Sequence, residues 1–251
     1  MSIPMGACLV CGEQLEYFEQ AKSMTCEYCG KTELTNTACK NGHYICDNCH
    51  RKDAVSKIAE LVEGVDTTDP TEILNIFMDQ KTTHMHGPEH HQLVACAMAV
   101  AYKNAGGNID LEKALPEILH RGEQLPGGIC GLWGNCGAAV SCGIFLSVAL
   151  GQTPLKGEHY SDVNRQTSRC LNAIAEIGGP RCCKRNGYLS IVESVAYTNA
   201  VTGVHMTLPE RIECKYFERN NECLHSNCPF FPGSTTPVPS SEVAVVGTPA
   251  K

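Results

Sequence analysis

Four short ligand pairs crowd the start of the chain: Cys8-x2-Cys11, Cys26-x2-Cys29, Cys39-x3-His43 and Cys46-x2-Cys49. A C-x2-C pair on a tight turn brings two thiolates to one tetrahedral ion, each about 2.3 Å from it. Gly12 and Gly30 follow the first two pairs, where a residue without a Cβ lets the backbone turn. Eight ligands fill two tetrahedral sites. Zinc is the default ion, and a closed site makes its role structural. The simplest pairing is sequential, with Cys8, Cys11, Cys26 and Cys29 on one ion and Cys39, His43, Cys46 and Cys49 on the other. A cross-braced pairing uses the same residues, and His50 is an alternative to His43. So little apolar sequence cannot fold without staples of this kind.

Ten further cysteines follow. Cys96, Cys142 and Cys170 stand among apolar residues at helical spacing and read as small buried hydrophobes. Cys130 and Cys136 lie in GGICGLWGNCG, residues 127–137, where the glycine density implies close backbone approach. Cys182 and Cys183 follow Gly178-Gly179-Pro180-Arg181 at an expected helix start, where free N–H groups favour a thiolate or a bound anion. Both thiols are expected to have lowered pKa values. Cys214, Cys223 and Cys228-Pro229 form a polar, loop-like series that would hold an iron–sulfur cluster or zinc with a fourth ligand from elsewhere. His86 and His90, beside Glu89 in HMHGPEHH, are a candidate metal or acid–base pair. The motif is not H-E-x-x-H, so a zinc protease is unsupported.

The elements that must position these groups are mainly helices. The fold expected is a mainly α, cysteine-rich domain carrying a small zinc-ribbon or treble-clef-like module. Residues 1–52 form the module, 53–232 the helical domain and 233–251 a Ser/Thr/Pro-rich disordered tail. Apolar spacing predicts a helix over 55–64, another from Asp69-Pro70 to about Gln80, and a third from Pro88 to the glycines at 106–107. Asp110 caps the next, which carries Pro116. Residues 132–150 look like a buried central helix, 162–177 an amphipathic one, and Pro180 opens the last.

A net charge of −7 argues against general nucleic-acid binding, which needs clustered Lys and Arg. The sequence shows no apolar run long enough to span a bilayer and no signal-peptide pattern, so a cytoplasmic location is expected. In a reducing cytosol seventeen cysteines are thiols, ligands or catalysts rather than disulfides. The partners expected are another protein or a small anionic or sulfur-containing substrate.

CKNGHYICDNCH at 39–50 looks like the middle of a RING or treble-clef finger, but a RING needs another close pair soon after Cys49, and the next cysteine is Cys96. Together with MHGPEHH, PGGICGLWGNCGAAVSCGIF, IGGPRCCKR and the final Cys223 and CPFF, this stretch resembles an uncharacterised domain-of-unknown-function family of methanogenic archaea and anaerobic bacteria. The resemblance covers nearly all of the chain but the tail. It implies an anaerobic host in which exposed iron–sulfur clusters survive, and transfers no reaction. Three functions are open at this stage. One is a metal-cluster protein in redox chemistry, cluster handling or cofactor maturation, with Cys130, Cys136, Cys182, Cys183, Cys214, Cys223 and Cys228 as ligands. Another is an enzyme with Cys130 or Cys182 as nucleophile. The third is a zinc-stapled adaptor.

Overall fold

The computed structural model describes residues 8–240. The chain opens with an antiparallel hairpin, β1 (Leu15–Thr25) and β2 (Thr32–Cys39). Leu15 faces Cys39 and Thr25 faces Thr32, with the register shifted between Tyr17 and Lys22. Asn36 Nδ2 donates to the Phe18 carbonyl at 3.0 Å and fastens the irregular stretch. The strands are mostly exposed, so the hairpin has little core of its own and is held at its ends, where the ligand pairs lie.

The helices follow in order: α1 (Asp47–Val55), α2 (Ile58–Leu61), α3 (Pro70–Met78), α4 (His90–Asn104), α5 (Leu111–Gly122), α6 (Ile129–Leu132), α7 (Gly137–Ala149), α8 (Tyr160–Ile177) and α9 (Cys183–Thr202). Two 3₁₀ turns, Phe217–Arg219 and His225–Asn227, shape the C-terminal segment. α4 packs against α3, α5, α7 and α9, and α8 lies against both α7 and α9. α4 is buried from His90 through Tyr102. Its run of small residues, ACAMAVA, lets four helices approach it. A helix apolar on every side belongs at the centre of a bundle.

Three expected boundaries move, each for a local reason. The helix expected over 55–64 is broken at Ser56 and Lys57, because α1 starts earlier, directly after the ligand Cys46. The helix expected from residue 132 starts at Gly137: Gly134, at φ +65°, turns the chain after α6, and Cys136 becomes the N-cap of α7. That helix is central as expected, packing against α4, α5, α8 and α9, although Val140, Ile144 and residues 147–150 stay only partly covered. The last helix begins at Cys183, three residues after Pro180, with Cys182 as its cap. The other starts agree: Asp69 Oδ1 accepts from Thr71 N at 2.7 Å, with Pro70 in the first turn. Of the segment read as a tail, 233–240 is irregular chain tied by Ser234 and Thr236 to the Ser226 carbonyl, and 241–251 lies outside the described residues. No helix among the described residues is long and apolar enough to cross a membrane.

Candidate metal centres and an adjoining thiol cleft

The hairpin interleaves the N-terminal ligands. Cys8, Cys11, Cys39 and His43 converge at one end, and Cys26, Cys29, Cys46 and Cys49 at the other. The pairing is therefore cross-braced, which corrects the sequential one: β1 carries the chain away from Cys11, and β2 brings Cys39 back beside it. Cys11 and Cys39 sulfurs are 3.5 Å apart, Cys29 and Cys46 sulfurs 3.7 Å, and Cys39 Sγ is 3.7 Å from His43 Nδ1. Metal–sulfur bonds of about 2.3 Å give a tetrahedron with edges of about 3.8 Å, so each set could hold one ion. Backbone N–H groups already point at these sulfurs: Val10 N to Cys8 at 3.4 Å, Asn41 N to Cys39 at 3.2 Å and Cys46 N to Cys26 at 3.3 Å. Despite burial, such donors pull the Cys26 thiol down to about 6. His50 is no ligand here. Its Nδ1 meets Glu89 Oε2 at 3.0 Å and ties the module to the helical domain.

A second convergence lies at the other end of the chain. Cys182, Cys214, Cys223 and Cys228 line one small pocket together with Phe217, Phe230 and Phe231, with Cys182 and Cys228 buried and Cys214 and Cys223 partly accessible. The three C-terminal cysteines come from a segment with little regular structure. Cys214 N donates to the Phe230 carbonyl at 2.7 Å, which closes the segment into a loop around the pocket. Three of these sulfurs accept N–H bonds from the backbone: Arg185 N to Cys182 at 3.4 Å, Tyr216 N to Cys214 at 3.4 Å and His225 N to Cys223 at 3.3 Å. The Phe230 N–H serves Cys228 in the same way. At Cys214, Cys223 and Cys228 the donor is two residues on, as it is for Cys8 and Cys39. Among the described residues only the two N-terminal sets bring three or more candidate ligand atoms within 4.8 Å of one another. The four thiols around the second pocket thus stand wider than one tetrahedral ion needs. The free space between them is about 10 Å³. Burial pushes Cys182 up to about 12 and raises Cys214 and Cys228.

The remaining predicted residues divide away from this pocket. Cys183, one residue on from Cys182, turns the other way, into a cleft of about 1260 Å³ between the N-terminal module and the helices. His86, Cys130, Arg181 and Trp133 share that cleft. His86 Nε2 meets Glu222 Oε2 at 2.6 Å and Asn220 Oδ1 at 3.0 Å. Its Nδ1 faces Cys183, 3.5 Å from the backbone nitrogen and in hydrogen-bonding contact with the thiol. Burial opposes a charge on His86, but Cys183 and Glu222 outweigh it and lift the imidazole to about 9. Burial likewise opposes a Cys183 thiolate, yet His86 and Arg181 draw its pKa below the ordinary value. The two adjacent cysteines therefore differ, and the lowered pKa expected for both holds for Cys183 alone. Cys136, raised to about 11 by burial, accepts from Asn186 Nδ2 at 3.4 Å and joins neither group. Cys96, Cys142 and Cys170 are fully buried, the last two with their thiols on the Ser190 carbonyl.

His90 is not brought to a site with His86. Its Nδ1 lies 3.2 Å from the Gly87 carbonyl, and its Nε2 accepts from Lys184 Nζ at 2.9 Å, so no lone pair is left for an ion. The centre of this buried network is Glu89. Burial works against its charge, but His50, His90 and His84 hold the carboxyl far below the usual range. Sequence reading missed Asn220, which spans both sites: Nδ2 donates to Cys182 Sγ at 3.4 Å while Oδ1 meets His86. An isolated Asn in a polar loop gives no pattern by which to find it.

The family of unknown function DUF5714 matches residues 58–231. No curated protein and no solved structure matches the chain. The matched stretch is narrower than the resemblance read from the sequence, because it leaves out residues 39–50 and all eight N-terminal ligands. It contains the four-thiol pocket, Cys183, His86 and Asn220. The chain belongs to this DUF5714 family, with the module that carries the two candidate metal sets placed ahead of the family domain.

Proposed function

We propose that the protein is a zinc-stapled iron–sulfur protein, with a [4Fe–4S] cluster on Cys182, Cys214, Cys223 and Cys228 and a role in redox chemistry or cofactor maturation. The observation that carries this reading is that four thiols line one small, aromatic-lined pocket with an N–H donor on every sulfur. A thiolate that binds iron keeps negative charge in a dry place, and N–H···S bonds lower the cost of that charge. No three of these sulfurs lie within 4.8 Å of one another, as a lone tetrahedral ion would require. Cys182 caps the twenty-residue helix α9, whose N-terminal end favours an anionic cluster. When bound, the cluster would supply one-electron chemistry. The protein's own contribution is to hold the thiolates, exclude water with the three phenylalanines, and place Asn220 on the Cys182 sulfur. The N-terminal sets would each hold a structural zinc.

Single Cys→Ser changes test the ligand set. Cys214→Ser, Cys223→Ser and Cys228→Ser are each expected to lose the visible iron–sulfur absorbance of anaerobically prepared protein. Cys96→Ser and Cys136→Ser are expected to keep it. Equal absorbance in all five variants would contradict the assignment.

A further inference from the structure

The cleft beside the four-thiol pocket holds a second set of reactive groups that metal binding does not use. Cys183 is the first residue of α9, partly accessible, and its side chain enters the cleft. His86 is 6% exposed and faces the thiol with one ring nitrogen while Glu222 and Asn220 grip the other. A nucleophile, an imidazole beside it and a carboxylate behind the imidazole are the parts of a thiol active site, in which the third group fixes the ring's orientation and tautomer. Arg181 completes the arrangement. Among the described residues its guanidinium has no ion pair, and its neighbour is the Tyr17 ring, 5.2 Å from the guanidinium carbon. An unpaired guanidinium at the mouth of a thiol-bearing cleft is a seat for a carboxylate or phosphate. Trp133, 64% exposed, adds an apolar wall.

We infer that this cleft is a thiol–imidazole active site in which Cys183 is the nucleophile and Arg181 binds a small anionic electrophile. The Cys183 sulfur supplies the electron pair of the new bond to the substrate, and the leaving group departs with the pair of the bond that breaks. The thiol proton passes to His86 Nδ1 and from there to the leaving group. Glu222 and Asn220 are positioning residues, since they touch His86 and not the substrate. The inference uses none of the four pocket thiols and stands whether or not they hold a cluster.

Iodoacetate and iodoacetamide test it, because they differ in charge but form the same carbon–sulfur bond and expel the same iodide. The full chain, with its metals as purified anaerobically, is treated with each reagent and the modified cysteines are mapped by mass spectrometry. Cys183 is expected to react first, and iodoacetate to react at least as fast as iodoacetamide. Arg181→Gln should slow both reagents, because Arg181 also favours the Cys183 thiolate, and should slow iodoacetate about ten-fold more than iodoacetamide. His86→Gln should slow both reagents alike, and Glu222→Gln should slow both less. Circular dichroism checks that each variant folds. Cys183 reacting no faster than Cys130 would overturn the nucleophile, and an unchanged reagent ratio in Arg181→Gln would overturn the anion seat.

Discussion

Asn220 is the residue through which the two sites meet. Its amide holds the Cys182 sulfur on one side and the His86 ring on the other. Hydrogen bonds to a ligand sulfur stabilise the more negative, reduced state of a cluster. Asn220→Ala is therefore expected to shift the potential to more negative values in an EPR-monitored redox titration and to leave iron content unchanged. A variant with the same potential would remove Asn220 from the account. The eight N-terminal candidate ligands are legible in the sequence, because C-x2-C spacing and following glycines mark them. The grouping of the cysteines is not. Cys182 and Cys183 are adjacent in sequence, yet the cap geometry of α9 sends one into the four-thiol pocket and the other into the cleft. Sequence spacing carries no information on that choice.

At the level of elements, helix existence followed from apolar period, and the starts at Asp69 and Asp110 followed from capping chemistry. Asp69→Ala removes the acceptor for Thr71 N and should cost about 1 kcal/mol in a urea unfolding experiment. Close packing at glycine is a stronger constraint. A Cβ on Gly143 of α7 would collide with Thr167 Oγ1 of α8, so Gly143→Ala should destabilise by about 1–3 kcal/mol by the same measurement. The cross-braced pairing could not be chosen from sequence, since both pairings use the same eight residues and only the hairpin register decides between them. The proposed cluster would have a further consequence in the C-terminal loop. The thiols there enclose little free space, so a cluster would have to displace and then pin residues 213–231. Hydrogen exchange there is expected to slow markedly on anaerobic reconstitution with iron and sulfide, and unchanged exchange would count against the pocket.

The whole molecule is a hairpin module with two candidate metal sets, docked on a helical bundle by α1. Asp47 Oδ2 accepts from Gly127 N at 2.7 Å, Arg51 donates to the Gly122 carbonyl at 3.3 Å, and His50 pairs with the buried Glu89. Because Cys46 and Cys49 flank the start of α1, the ion they could hold also fixes the docking surface. His50→Ala strips a buried carboxylate of its partner and should cost about 3 kcal/mol, read as a lower urea midpoint.

The most direct test of the central claim is metal analysis of the full chain purified without oxygen: zinc, iron and acid-labile sulfide per chain, with the visible spectrum. About two zinc, about four iron and about four sulfide are expected per chain. Two zinc with neither iron nor sulfide, even after anaerobic reconstitution, would contradict it.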